Sequence, residues 1–329
     1  MKALVTGANG LLGFAIARSL EARGDTVHAL IRRPSAALET LGCRTFLGDV
    51  RDAASIDEAC RGVDVVFHVA GVSGIWGPWS HYYSNNTRGT LNVIAACRKL
   101  GAGRLVYTSS PSVTFDGGEQ RNVDESAPYA RRWLCHYAHS KALGEQAVLA
   151  ASDARLVTCA LRPHLIWGPG DRQLVPRLLE RARQGKLRRV GDGRNLIDTV
   201  YVDNAADAHL LAADAIAPSS VVAGRAYFIS QGEPVNCWNW IDELLALAGL
   251  PKVRRSVPLG VAYAAGAALE GIYGALRIKR EPPMTRFLAA QLGRSHYFNI
   301  ARARADFGYQ PRVSTGEGMQ RLAAELSRP

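Results

Sequence analysis

Thr6-Gly7-Ala8-Asn9-Gly10-Leu11-Leu12-Gly13 follows the apolar run Ala3-Leu4-Val5 and opens onto a helix-forming stretch at about 11–23. Three glycines at this spacing between a strand and a helix serve three separate needs. Gly7 permits the tight turn, Gly10 lets a pyrophosphate approach the backbone, and Gly13 allows the helix to pack closely. The free N–H groups and the dipole at the start of the helix then favour a phosphate. Asn9 lies in the same loop. Glycines also cap and turn for purely structural reasons, so the pattern gains its meaning from its place in a first βα unit.

Outward from this loop, short apolar runs recur at Thr26–Ile31, Val65–Val69, Leu105–Tyr107 and Leu156–Leu161, and the spacing predicts helices at about 52–61, 85–100 and 132–151. The runs lack polar alternation, which is how strands buried on both faces of a parallel sheet read. Alternation of β and α predicts an α/β fold, a doubly wound parallel sheet of the Rossmann kind. After Leu161 the rhythm changes. Arg162–Asp171 is rich in Pro and Gly, with helices expected near 172–185, 203–216, 236–248, 259–276 and 284–292 and short strands at 187–190 and 226–230. The expected division is a cofactor domain over 1–165 and a smaller, mostly helical substrate lobe over 166–329, with some chain returning to the sheet. No internal repeat or low-complexity segment is present.

With 329 residues, 47% of them hydrophobic and 21% charged, the chain has ample material for a core and is no disordered polyelectrolyte. Cysteines 43, 60, 97, 135, 159 and 237 form no C-x-x-C pair and no zinc-like cluster with histidine. No metal site is expected, and a reducing cytoplasm fits such cysteines. MKALVTGANG lacks the apolar core of a signal peptide. The net charge of +11 is spread in doublets at 32–33, 131–132, 188–189 and 254–255 rather than along one strip, so no nucleic-acid partner is expected. Val257–Leu276 is long and apolar, yet it is Ala-rich and holds Glu270. It reads as a helix of a soluble lobe or as one that contacts a membrane surface, helped by Arg277, Lys279 and Arg280.

The end of the second strand should lie beside the adenine ribose, where an NAD-selective site places an acid. Here Ile31 is followed by Arg32 and Arg33. Guanidinium groups match the 2′-phosphate of NADP, and no carboxylate is there to repel it, so NADP(H) is the expected cofactor. Asp49, after the third strand and before Val50, either accepts from the adenine amino group or begins a helix.

Tyr137 and Lys141 are one helical turn apart on one face. A phenol is a poor acid near neutrality, and a neighbouring ammonium is expected to draw its pKa down. Tyr107-Thr108-Ser109-Ser110 ends a strand at the carboxyl edge, where such sheets bind ligands, and offers a hydroxyl to a carbonyl oxygen.

Taken together, TGANGLLG at 6–13, YTSS at 107–110, YAHSK at 137–141 and LRPHLIWGPGD at 161–171 resemble the extended short-chain dehydrogenases/reductases. FHVAG at 67–71, NNTRGTLNV at 85–93, DTVYVDNAADAH at 198–209 and NIARARADFGYQP at 299–311 are similar to its 3β-hydroxysteroid dehydrogenase-like branch, and within it to bacterial reductases of 2-alkyl-3-oxoalkanoates. The resemblance implies Tyr137 as acid-base, Lys141 as its modulator and a ribose ligand, and Ser110 as the hydroxyl that orients the carbonyl. It also implies that Leu11 and Leu12 flank the pyrophosphate and that Val69, Ala70 and Gly71 pass under the adenosine ribose. Asn86, Pro163 and His164 would border the nicotinamide, and a homodimer is expected. Trp167 stands where the family usually has Tyr, which touches only local packing.

The reaction so implied is hydride transfer between NADP(H) and the ketone or secondary alcohol of a bulky hydrophobic substrate, a 2-alkyl-3-oxo acid or a 3-oxo or 3β-hydroxy steroid-like compound. The aromatic stretch Ile75-Trp76-Gly77-Pro78-Trp79 with Tyr82 and Tyr83 reads either as a wall for that substrate or as packing between lobes. Two other readings use the same fold: an epimerase, dehydratase or isomerase acting on a bound nucleotide, and a non-catalytic cofactor sensor.

Overall fold

The structure is a computed structural model that describes residues 1–327. Seven parallel strands form the central sheet: β1 Lys2–Thr6, β2 Thr26–Ile31, β3 Arg44–Leu47, β4 Val65–His68, β5 Arg104–Thr108, β6 Val157–Pro163 and β7 Arg225–Ile229. Their spatial order is β7-β6-β5-β4-β1-β2-β3, so the chain reverses direction beside β1 and opens a crevice at the carboxyl edge there. β4 and β6 are buried along their whole length, as the unalternating apolar runs require.

Helices cover both faces. Leu11–Ala22 and Val202–Ala215 share one core with Val5, Phe67, Val106 and Leu161. Ala53–Cys60, Gly89–Leu100 and His136–Ala150 share the other with Leu4, Val66 and Leu105. All six cysteines are buried and free. The helix expected over 85–100 is built differently. A short turn at Trp79–Tyr82 runs into a π-helical segment at Tyr83–Arg88 before regular helix begins at Gly89. Gly89 lies against Val50, where an added Cβ would stand 2.7 Å from Val50 Cγ2. The helix expected from 132 begins at His136, because Cys135 is extended as its N-cap.

Past β6 the chain builds helices Leu174–Arg183, Cys237–Leu247, Leu259–Ala275 and Arg286–Gly293, and β7 returns to the central sheet beside β6. A small sheet joins Gln120–Val123, His296–Phe298, Leu196–Ile197 and Val235–Asn236, four segments whose strand character the sequence reading missed. They are too short to show a period, and their pairing is long-range. Helices Ala301–Phe307 and Thr315–Leu326 were not expected either. Trp167 is fully buried edge-on to Tyr201 and Trp240, and Gly318 leaves the room it needs: a Cβ there would sit 2.9 Å from the indole.

Candidate active site

The glycine loop is held where it is by contacts that admit no side chain. Gly7 has φ +71°, and a Cβ there would meet the Ala70 backbone at 2.8–2.9 Å. A Cβ on Gly13 would lie 2.3 Å from Gly7 O. Helix Leu11–Ala22 starts at Gly10 with no side-chain cap and no acidic residue in its first turn, which leaves its N–H groups and dipole for an anion. Leu12 is in the core, whereas Leu11 is half-buried at the loop, so any contact of Leu12 with a pyrophosphate is through its backbone. Asn9 donates from Nδ2 to Arg33 O at 2.8 Å and so ties the loop to the end of β2.

A buried hydrogen-bond chain fixes β1 to β4. Thr90 donates its hydroxyl to Asn86 O at 2.6 Å, so it can only accept from His68 Nε2, 3.0 Å away. His68 Nδ1 is then the bare nitrogen and accepts from Thr6 Oγ1 at 2.8 Å, while Thr6 Oγ1 accepts from Ala70 N. Burial, reinforced by the Lys141 ammonium, lowers His68 to about 3 and keeps it neutral. Half-buried Val69 and Ala70 and exposed Gly71 thus line the floor beside the glycine loop. Asn86 clamps the next residues: Oδ1 accepts from Val72 N at 2.8 Å, and Nδ2 donates to Val72 O and Ser140 Oγ, each at 3.0 Å.

Arg32 and Arg33 are exposed beyond β2, and neither forms an ion pair among the described residues. Asp49 does not begin a helix, since Asp52 is the N-cap that accepts from Ala54 N. Its carboxylate takes a fork from Arg51 at 2.9 and 2.8 Å, and that hydrogen bond holds its pKa below the usual range. Val50 is buried behind it.

Ser110, Tyr137 and Lys141 come together at the carboxyl ends of β5 and β6. Ser110 N-caps a short turn, Pro111–Thr114, and its oxygen accepts from Ser112 N at 3.2 Å and Ser112 Oγ at 2.9 Å. With its lone pairs so engaged, its own O–H remains available to donate. A hydrogen bond from Ser110 opposes the upward effect of burial on Tyr137, whose pKa lies above the ordinary phenol value. This corrects the expectation that the ammonium draws the phenol down. Lys141 donates from Nζ to Thr108 O at 2.6 Å and lies 4.1 Å from the Tyr107 ring centroid. Its burial lowers it to about 7, with Glu145 acting in the other direction.

Glu145 is a functional neighbour that the sequence reading did not single out, although it continues the row Tyr137, Lys141 at the same helical spacing. It is fully buried and bridged by Arg162 at 2.6 Å, and it accepts from Tyr129 OH at 2.7 Å. Pro163 ends β6, and the ring of the next residue, His164, is turned to His296 in the small sheet, 2.6 Å away. No group of three or more potential metal ligands occurs among the described residues.

The aromatic stretch reaches from the apolar helix to the helix of Tyr137. Trp76 packs edge-on to Tyr273 and donates to Ile278 O, while Tyr82 donates to Trp76 O. Trp79 in turn lies against His136 and His139, which flank Tyr137.

Comparison with known proteins gives a consistent picture. The pattern of the 3-beta hydroxysteroid dehydrogenase/isomerase family matches residues 4–259. The chain is 51% identical over 327 residues to 2-alkyl-3-oxoalkanoate reductase of Stenotrophomonas maltophilia, covering 98% of this chain and 99% of that one. It is 35% identical to the human sterol-4-alpha-carboxylate 3-dehydrogenase, decarboxylating, over 96% of this chain and 86% of that one. Among solved structures, MoeE5 in complex with UDP-glucose and NAD superposes with a TM-score of 0.75 at 25% identity, covering 99% of this chain and 98% of that one.

Proposed function

The chain belongs to the 3-beta hydroxysteroid dehydrogenase/isomerase family of extended short-chain oxidoreductases, and on that premise we propose that it is an NADPH-dependent reductase of 2-alkyl-3-oxoalkanoates. The observation that carries the reading is the juxtaposition of the Ser110 hydroxyl with Tyr137, one helical turn from buried Lys141, at the sheet edge where the glycine loop opens. The cradle fits a dinucleotide: Gly7 and Gly13 leave no room for a Cβ, and the helix N-terminus behind the loop is uncapped. Residues 1–165 would hold the cofactor and 166–329 most of the substrate. The unpaired guanidinium groups of Arg32 and Arg33 support the 2′-phosphate form.

When bound, the nicotinamide supplies a hydride to the ketone carbon. Ser110 donates a hydrogen bond to the carbonyl oxygen, and Tyr137 gives its phenolic proton to the same atom. A phenol held above its ordinary pKa is protonated at neutral pH, which is the state a reduction consumes. Lys141, fixed by the Thr108 carbonyl, would reach the ribose of the bound nucleotide. Aromatic surface from Trp76 to Trp79 offers an alkyl chain a large apolar contact area, and 51% identity over 98% of this chain to a reductase named for its 3-oxo substrate supports the same class.

The test is a panel of ketones and alcohols followed at the nicotinamide absorbance with both cofactors. A long-chain 2-alkyl-3-oxo acid should consume NADPH far faster than NADH, and Tyr137→Phe should lose turnover by several orders of magnitude while still binding nucleotide. Equal activity on a nucleotide sugar, or a fully active Tyr137→Phe, would overturn the reading.

A further inference from the structure

A 3-oxo acid carries its carboxylate two bonds from the ketone carbon. The group that receives it must therefore stand within a residue or so of Ser110, a requirement that rests on the reductase reading. Thr108 of β5 is paired with Leu161 of β6. Two residues further along each chain come Ser110 and Pro163, on neighbouring strands about 4.8 Å apart, and His164 follows at once. Phe115, which ends the turn that Ser110 caps, lies edge-on to His296 with ring centroids 6.4 Å apart. The hydrogen-bonded pair His164–His296 is thus bracketed by the segment that carries the reacting hydroxyl and by the adjoining strand end. We propose that this pair receives the carboxylate of the substrate and takes up a proton as the acid binds.

The tautomers leave one atom for the purpose. His296 Nε2 bears a hydrogen that faces the Gln291 carbonyl at 2.8 Å, so His296 Nδ1 accepts from His164 Nε2 at 2.6 Å. Nδ1 of His164 is then bare, no donor among the described residues reaches it, and the ring keeps 7% of its surface open. A bare nitrogen offers a carboxylate nothing. Once protonated it becomes a donor, and the imidazolium charge is shared along two hydrogen bonds to the Gln291 carbonyl. Burying a carboxylate or an imidazolium alone is costly, and each offsets the penalty of the other.

The charged groups around the pair are already engaged. Lys141 and Arg162, buried at the same edge, are held by the Thr108 carbonyl and by Glu145. On the elements packed against the two rings, Glu119 accepts from Ser295 N, Asp198 from Phe298 N and Glu125 from Phe228 N. Arg286, on the helix of Gln291, is paired with Glu270. Of these groups Glu119 alone acts on the pair by charge, favouring protonation of His296.

The experiment is calorimetric titration of the full chain, saturated with NADPH, in buffers of different ionisation enthalpy. The ligands are a long-chain 2-alkyl-3-hydroxy acid, which NADPH cannot reduce, and its methyl ester. The wild type should take up close to one proton per acid bound at neutral pH and none per ester. Affinity for the acid should fall as pH rises through the neutral range, while that for the ester sets the reference for Lys141, which titrates near 7 and acts on both ligands. His164→Gln keeps an N–H for His296 but cannot accept a proton. It should bind the acid without proton uptake and lower the preference for acid over ester by about tenfold or more. The proton count on the wild type needs no variant and decides the matter if His164→Gln fails to fold. The proposal is overturned if acid and ester bind alike, if the wild type takes up no proton with the acid, or if folded His164→Gln retains the uptake and the preference. Binding of neither ligand would overturn the reductase reading itself, and the proposal with it.

Discussion

His164 donates its Nε2–H to Nδ1 of His296 at 2.6 Å, and this bond ties the end of β6 to the small sheet of the C-terminal lobe. The tautomers follow from the far end: His296 Nε2 faces the Gln291 carbonyl at 2.8 Å and must be N–H, so His296 Nδ1 is the acceptor. Burial keeps both rings neutral, with His296 lowered to about 4 and His164 well below its ordinary value.

Replacing His296 with Phe leaves the His164 N–H buried without an acceptor. We expect a loss of about 1–3 kcal/mol, seen as a lower midpoint in thermal unfolding. The pH dependence has a defined sign. A base whose folded pKa is depressed binds more protons when unfolded, so stability is lost as pH falls below the ordinary histidine range towards about 4. His296→Phe should show less of this acid loss than the wild type. An identical slope would mean that other groups carry it.

Lys141 behaves similarly at higher pH. Its folded pKa of about 7 lies below the usual lysine value, so its contribution to stability rises as pH increases from about 7 towards the unfolded pKa near ~10.4. Lys141→Met should abolish turnover yet unfold at a higher temperature than the wild type at or below neutral pH. The difference should narrow on the alkaline side, as differential scanning calorimetry would record.

Gly13→Ala places a Cβ 2.3 Å from Gly7 O, a backbone atom that cannot step aside without opening the loop. The expected cost is about 1–3 kcal/mol, with nucleotide affinity reduced at least tenfold by equilibrium titration. Gly316, which has open space around its Cβ position, is the matched control. Its alanine variant should leave nucleotide affinity unchanged.

Removing the two guanidinium groups in Arg32→Ala with Arg33→Ala should raise the KM for NADPH by tenfold or more and leave that for NADH nearly unchanged. Charge-assisted contacts of this kind contribute roughly 1.5–3 kcal/mol each. Steady-state kinetics with both cofactors decides it. Unchanged KM for NADPH would place the 2′-phosphate elsewhere.

The central sheet was legible in the sequence because its strands announce themselves locally. Val65–His68 and Val157–Pro163 are buried on both faces and show it as unbroken apolar runs, and the turn at Gly7 needs a residue that tolerates φ +71°. Ser110, Tyr137 and Lys141 were legible for a related reason: a helical turn separates two of them, and a strand end carries the third.

What the sequence alone determined, then, is whatever depends on neighbours within a turn or a strand: the parallel α/β architecture, the glycine turn after β1 and the tyrosine–lysine spacing. Only the tertiary structure decided that the phenol lies above its ordinary pKa, that the lysine lies below its own, that His164 reaches His296, and that Glu145 is bridged to Arg162. Burial and partners remote in the chain set each of these, and desolvation has no signature in residue order.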